Sequence, residues 1–146
     1  MERTLLTDFR NYMVGNSTLE SALGVAPLAG TNVFISFMPD SPDECIVIYP
    51  SGGSESPTSA ADRQVHSVYV LIRAVDNNAA YKTGIALIGL LDDNMRQNSS
   101  ILQYSKGIAL VQQSQPVYVG RDDNLRSIYR VDVDFKIVKY TGMTTG

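Results

Sequence analysis

His66 is the only histidine in the chain, so any Ser/His/Asp or Cys/His relay would have to pass through it. It sits at the start of an apolar run over residues 65–73, and no nucleophile-elbow pattern accompanies it. A structural or surface histidine is the simpler account. Two adjacent carboxylate pairs, Asp92-Asp93 and Asp122-Asp123, are poor acid/base candidates: neighbouring side chains on a helix diverge, and the second pair lies among turn formers. Cys45 is alone, which removes an intramolecular disulfide and any zinc site built on paired cysteines. The segment around Asp122 lacks the glycine and the distal glutamate of a calcium loop. Gly52-Gly53 carries neither a P-loop lysine nor a GxGxxG pattern, and a flexible serine-rich loop explains it without a phosphate. Asn16-Ser17-Thr18 and Asn98-Ser99-Ser100 match the glycosylation sequon but read as turn chemistry in a chain whose first residues do not resemble a secretory signal. Arg121, Arg126 and Arg130 form a small basic group interspersed with Asp122, Asp123, Asp132 and Asp134, the pattern of a solvated face rather than of a nucleic-acid contact. The residues therefore point away from catalysis, and no cofactor or metal is expected.

The elements that carry these residues follow from periodicity. Leu5, Leu6, Phe9, Tyr12 and Met13 recur at helical spacing, predicting a short amphipathic helix over 4–14 that Gly15-Asn16 ends. Five of the six prolines fall between Gly24 and Pro57 and exclude a long helix there. Two extended segments are expected between them, 32–38 and the apolar run 45–49, the latter covered on both faces. Residues 50–62, small and polar with little to bury, are expected to form a flexible loop. A strand over 65–73 precedes a helix over 77–97. In that helix Tyr81, Gly84, Ile85, Leu87, Ile88, Leu91 and Met95 share one arc, with Lys82 and Thr83 opposite. Gly84 and Gly89 inside it each cost about 1 kcal/mol against alanine, which implies close packing against a sheet or a neighbouring chain. Short strands at 108–112 and 116–119 lead through a polar turn to the clearest signal: Tyr129, Val131, Val133, Phe135 and Ile137 alternate with Arg130, Asp132, Asp134 and Lys136. The order implies a single α+β domain, a mostly antiparallel sheet with two helices packed on it.

With 146 residues, 44% hydrophobic and 18% charged, the chain is one domain's worth of sequence with enough core to fold without metals or disulfides. No apolar run is long enough to span a bilayer, and a soluble intracellular product is expected. The net charge of −3 lacks the basic footprint of a general nucleic-acid binder. Its distribution is uneven. Residues 11–62 hold six acidic side chains and no Lys or Arg, while all twelve Lys and Arg lie outside that stretch among the other nine acidic residues. One solvated acidic surface accounts for this; so do unlike sides that meet when copies associate head to tail.

The segment GTNVFISFMPD over 30–40, followed by PDECIVIY over 42–49 and by Gly52-Gly53, resembles the minor capsid and tail terminator family of tailed bacteriophages. The likeness continues through the 65–73 strand, Ala80-Tyr81 and Leu90-Leu91 of the helix, Gln115-Pro116, and Gly120-Arg121-Asp122-Asp123-Asn124, so it spans about residues 20–138. It implies a non-enzymatic virion protein at the tail-neck junction, assembled in the host cytoplasm. Such a protein forms a homo-oligomeric ring, expected to be a hexamer, on the head-proximal end of the tail tube. There it stops polymerisation and meets the head-tail connector or neck proteins, with no membrane partner. DNA would pass through the lumen without specific binding, which an acidic or neutral lining favours because clustered Lys and Arg would hold phosphates. The motif assigns no residue roles. Loop position and charge nominate Asp40, Asp43, Glu44, Gly52, Gly53, Glu55, Asp62, Arg121 and Arg126 as interface or lumen residues. Two alternatives stay open: another ring-forming head or neck completion protein, and a small ligand-binding or enzymatic domain using a cleft beside His66.

Overall fold

The computed structural model describes residues 5–55, 63–96 and 107–139. Its elements are α1 (Leu5–Met13), α2 (Ser17–Leu23), β1 (Val33–Ile35), β2 (Cys45–Glu55), β3 (Arg63–Ala74), α3 (Asn77–Arg96), β4 (Gly107–Gln113), β5 (Val117–Arg121) and β6 (Ser127–Lys139). The spine is the antiparallel pair β3/β6, in register along the whole of β3 from Arg63↔Val138 to Ala74↔Ser127. β2 pairs antiparallel with the other edge of β3, and β1 pairs parallel with β2. β4 and β5 follow one another along the free edge of β6, β4 against residues 133–139 and β5 against 127–130. The sheet is thus five strands wide although six strands build it. The α+β class holds, and the sheet is mixed, with β1/β2 as its one parallel pair among the described residues.

Alternation sorts side chains between the two faces. Ile46 and Ile48, Val68, Val70, Ile72 and Ala74, and Val131, Val133 and Phe135 share one face and are buried there beneath the helices. α1 contributes Phe9 and Met13, α2 Leu19 and Leu23, and α3 Ala80, Leu87 and Leu91 to the same core. Phe9 meets Phe135 edge to face, with centroids 5.2 Å apart, a geometry worth about 0.5–1.5 kcal/mol beyond the area it buries. The Tyr12 hydroxyl donates to the Leu90 carbonyl at 3.0 Å and ties α1 to α3.

Several expectations are corrected. A third helix, α2, stands beside the two anticipated. The Asn16 that ends α1 also caps α2, its Oδ1 accepting from the amides of Thr18 (2.9 Å) and Leu19 (3.1 Å). Gly24, at φ 92, closes α2 in the left-handed conformation. The loop expected over 50–62 starts later: β2 continues through Glu55, with Gly53, Ser54 and Glu55 paired to His66, Val65 and Gln64 after a bulge between Pro50 and Gly53. Backbone pairing to β3 carries these small residues, which offer no periodicity to read. The remainder of that loop, 56–62, lies outside the described residues. β1 is shorter than 32–38 because Ser36 turns into the left-handed region at φ 59. The apolar arc of α3 is rotated from the one expected. Thr83 is fully buried, its hydroxyl donating to the Ala79 carbonyl at 2.7 Å, while Tyr81 and Ile85 are exposed.

Gly84 packs as its cost implied. A Cβ there would lie 2.8 Å from Pro116 Cγ, in the short link between β4 and β5, whereas one at exposed Gly89 would meet nothing within 4 Å. Overpacking against a rigid proline ring costs about 1–3 kcal/mol, against about 1 kcal/mol of helix propensity recovered. Gly84→Ala is therefore expected to lower the urea midpoint and Gly89→Ala to raise stability by about 0.5–1 kcal/mol. Equal effects at the two positions would contradict the close approach of α3 to Pro116.

Candidate assembly surface

A parallel pair requires the chain to travel back along the sheet between its two strands. Because β1 has only three residues, about 10 Å of strand, the nine-residue link 36–44 makes the return without a helix. It does so on the face away from the helices. Cys45 and Val47 project to that face and are nevertheless fully buried, so the apolar run 45–49 is covered on both sides, as expected. Burial pushes the Cys45 thiol up from its ordinary value, with Arg73 partly opposing the shift, which leaves an inert thiol rather than a nucleophile.

Two arginines hold the link down. Arg73, at the end of β3 opposite Cys45, is buried and donates from Nε to the Asp43 carbonyl (3.2 Å) and from Nη2 to the Pro42 carbonyl. Arg126, which enters β6, has a side chain only 4% exposed and is answered from three directions. Its Nε donates to Asp122 Oδ2 (2.8 Å), Nη1 to the Asp40 carbonyl and to Asp43 Oδ1 (3.2 Å), and Nη2 to Asp40 Oδ1 (3.2 Å). Asp122 also folds its own turn, Oδ1 accepting from the amides of Asn124 and Arg126, each at 3.0 Å. That turn places Leu125 at φ 62 with its side chain exposed. The Arg126 backbone amide, followed by its side chain and the Asn124 amide, holds the Asp122 carboxyl below its ordinary value. Burial alone would lower the Arg126 pKa, but its carboxylate partners raise it. A cleft of about 290 Å³ opens between link and turn, lined by Met38, Pro39, Asp40, Arg73, Asp122, Asp123, Asn124, Arg126 and Ile128. Both of its cations are committed to the contacts above. Among the described residues no group of His, Cys, Asp and Glu could hold a metal ion, and no helix is long and apolar enough to cross a membrane.

The structure therefore gathers Asp40, Asp43 and Arg126 from the nine candidate residues and adds Asp122 and Arg73, which sequence reasoning missed. The one signal for Arg73 was a charge closing an otherwise apolar strand. Arg126 is not part of a solvated basic group: it is buried, while Arg130 pairs with Asp132 at 2.8 Å and lies 4.1 Å above the Tyr69 ring, itself stacked on Tyr49. Of the three arginines only Arg121, at the end of β5, is exposed. Glu44 is half-buried and its Oε2 accepts weakly from the Val75 amide at 3.4 Å. Gly52, Gly53 and Glu55 lie on the β2 extension, away from the arginine cluster in the register, and Asp62 lies outside the described residues.

Exposure separates the partners of Arg126. The Asp40 side chain is 90% exposed, so Asp40→Asn is expected to cost less than about 1 kcal/mol. Arg126→Met removes the anchor of both link and turn and is expected to cost about 2–4 kcal/mol in chemical denaturation. Because the Asp122 pKa is depressed on folding, its contribution is fully present above the unfolded carboxylate value of about 3.9 and is lost as pH falls below it through the folded value. Wild type is expected to lose more stability than Asp122→Asn between pH 5 and pH 3; parallel pH profiles would contradict that role.

Comparison with known proteins places this geometry. No curated protein sequence matches the chain. Among solved structures, a chain described as "Virion of native gene transfer agent (GTA) particle" superposes with a TM-score of 0.54 at 14% identity, covering 89% of this chain and 90% of that one. That likeness shows a shared fold. A family model described as "Bacteriophage tail terminator protein" matches residues 10–139, from the end of α1 to the last residue of β6. The chain belongs to the bacteriophage tail terminator protein family, a family of structural virion proteins.

Proposed function

We propose that the protein forms a ring, a hexamer, that caps the head-proximal end of the phage tail tube, stops its polymerisation and offers a joining surface to the head-tail connector or neck proteins, without catalysis. The observation that carries this reading is the match of the tail terminator family to every strand of the sheet, not to a fragment of it. The surface chemistry supports it. Around Arg126 stand four carboxylates, Asp40, Asp43, Asp122 and Asp123, so the cluster keeps excess negative charge, and Asp40, Asp43 and Asp123 are exposed. Turned toward a lumen, such a surface would let DNA pass without the cation–phosphate contacts whose counterion release would hold it. Cys45 is buried and both arginines of the cleft are engaged, so neither the thiol nor a guanidinium there is free for chemistry.

The test is genetic and structural at once. A phage carrying a nonsense mutation in this gene is expected to produce tail tubes of irregular, extended length and heads without tails, visible by negative-stain microscopy, with length control restored by the protein supplied in trans. Tubes of wild-type length joined to heads in its absence would overturn the reading.

A further inference from the structure

Of the charges nominated for subunit contact, Asp40, Asp43 and Arg126 meet inside the subunit, and the exposed apolar surface lies elsewhere. At one edge of the sheet β5 is exposed along Val117 (56%), Tyr118 (52%) and Val119 (56%). The patch continues onto α3: the Tyr129 ring contacts both Tyr118 and Tyr81, with centroids 5.4 and 5.6 Å apart, and Ile85 follows one turn after Tyr81. At the opposite edge a second apolar set flanks β1. Leu28 is 47% and Phe37 61% exposed. Leu28 is fixed beside β1 by its carbonyl, which accepts from the Val33 amide, and by its own amide, which donates to Asn32 Oδ1 at 2.6 Å; Phe37 rests edge to face on Phe34. Hydrogen bonds within 28–33 answer both backbone groups of Val33 on the outer edge of β1, so this three-residue strand offers little edge to extend beside its exposed side chains.

We infer that the β5/α3 edge of one copy, with Tyr81, Ile85 and Tyr118 on its helix side and Val117 on the other, packs against the β1-side patch (Leu28, Phe37) of the next, a head-to-tail seam between two copies of this chain. The inference rests on the ring reading and names its contact surfaces. A single contact covers both of two unlike patches at opposite edges only when copies repeat in one direction, the kind of contact from which rings are built; self-pairing of one patch alone leaves the other in water. Charge favours the same pairing. Exposed Lys82 and Arg121 border the first patch, with Asp123 beside Arg121, whereas no Lys or Arg occurs anywhere between Arg10 and Arg63, the stretch that holds the second patch and Glu20 of α2. Self-pairing of the first patch would oppose its cations to one another.

The experiment uses two full-length variants at exposed positions, Val117→Glu and Leu28→Glu, whose spoiled ends repel each other as well, each first shown to melt like wild type. Native mass is then measured by light scattering at high protein concentration for wild type, for each variant and for their equimolar mixture. The seam predicts a closed assembly for wild type and a monomer for each variant alone. The mixture should stop at a heterodimer, because one intact seam remains between two spoiled ends. If either variant alone forms the wild-type assembly, the seam is wrong while the ring reading stands. The seam is equally wrong if Val117→Glu assembles normally but no longer joins tubes, which would assign β5 to a different partner. A wild-type chain that stays monomeric throughout, with and without tube tips, overturns the ring reading and the seam together.

Discussion

A buried guanidinium must have its N–H groups answered, and Arg126 is the point at which this fold meets that demand. Asp122 answers Nε, and the carboxylates of Asp40 and Asp43 with the Asp40 carbonyl answer the two terminal nitrogens. In doing so they bring the 36–44 link across the sheet face that has no helix. Everything at that end of the molecule depends on the outcome. Cys45 and Val47 are buried on that face, the link returns the chain so that β1 lies parallel to β2, and the Asp122 turn stands between the end of β5 and the start of β6. The energy resides less in the ion pairs, whose acidic members are largely wet, than in the apolar surface the link is thereby held against.

The rest of the fold hangs on the β3/β6 pair, whose alternation turns one apolar face to the helices, while β6 puts Arg130, Asp132 and Asp134 on the open face. That much was legible. β6 announces itself by strict alternation, β3 and the start of β2 by apolar runs, and α1 and α3 by helical spacing, because burial on one face writes its period directly into the sequence. What stayed hidden has a physical cause in each instance. α2 is seven residues long with only Leu19 and Leu23 to bury, too short for a period; its caps, Asn16 and Gly24, were the usable signal. The 50–55 segment is strand through backbone pairing, which small side chains do not record. In α3 the buried Thr83 satisfies its hydroxyl within its own helix, so a polar residue occupies a core position that hydrophobicity assigned to solvent.

The candidate site was legible in part for the same reason. Asp40, Asp43 and Arg126 were chosen for charge and loop position, and the fold does bring them together, although for its own cohesion first. Their meeting joins residues more than 80 positions apart in the chain, a distance over which no spacing rule operates. Arg130 shows the converse: it alternates as a solvated residue should, yet settles over the Tyr69 ring beside its Asp132 partner. Charge patterning reveals which residues are hydrophilic; whether a charge faces water, a partner chain or its own subunit is decided by topology. With Arg126 engaged inside its own subunit, the exposed apolar side chains at the two sheet edges are the surface on which the proposed seam is drawn.

The proposed ring occupies one defined end of the tail tube. Electron cryomicroscopy of assembled tails and particles tests it most directly. The account predicts a single closed ring of this fold, coaxial with the tube, at its head-proximal end. Density for the chain along the length of the tube, at the opposite tip, or nowhere on the finished particle would contradict it.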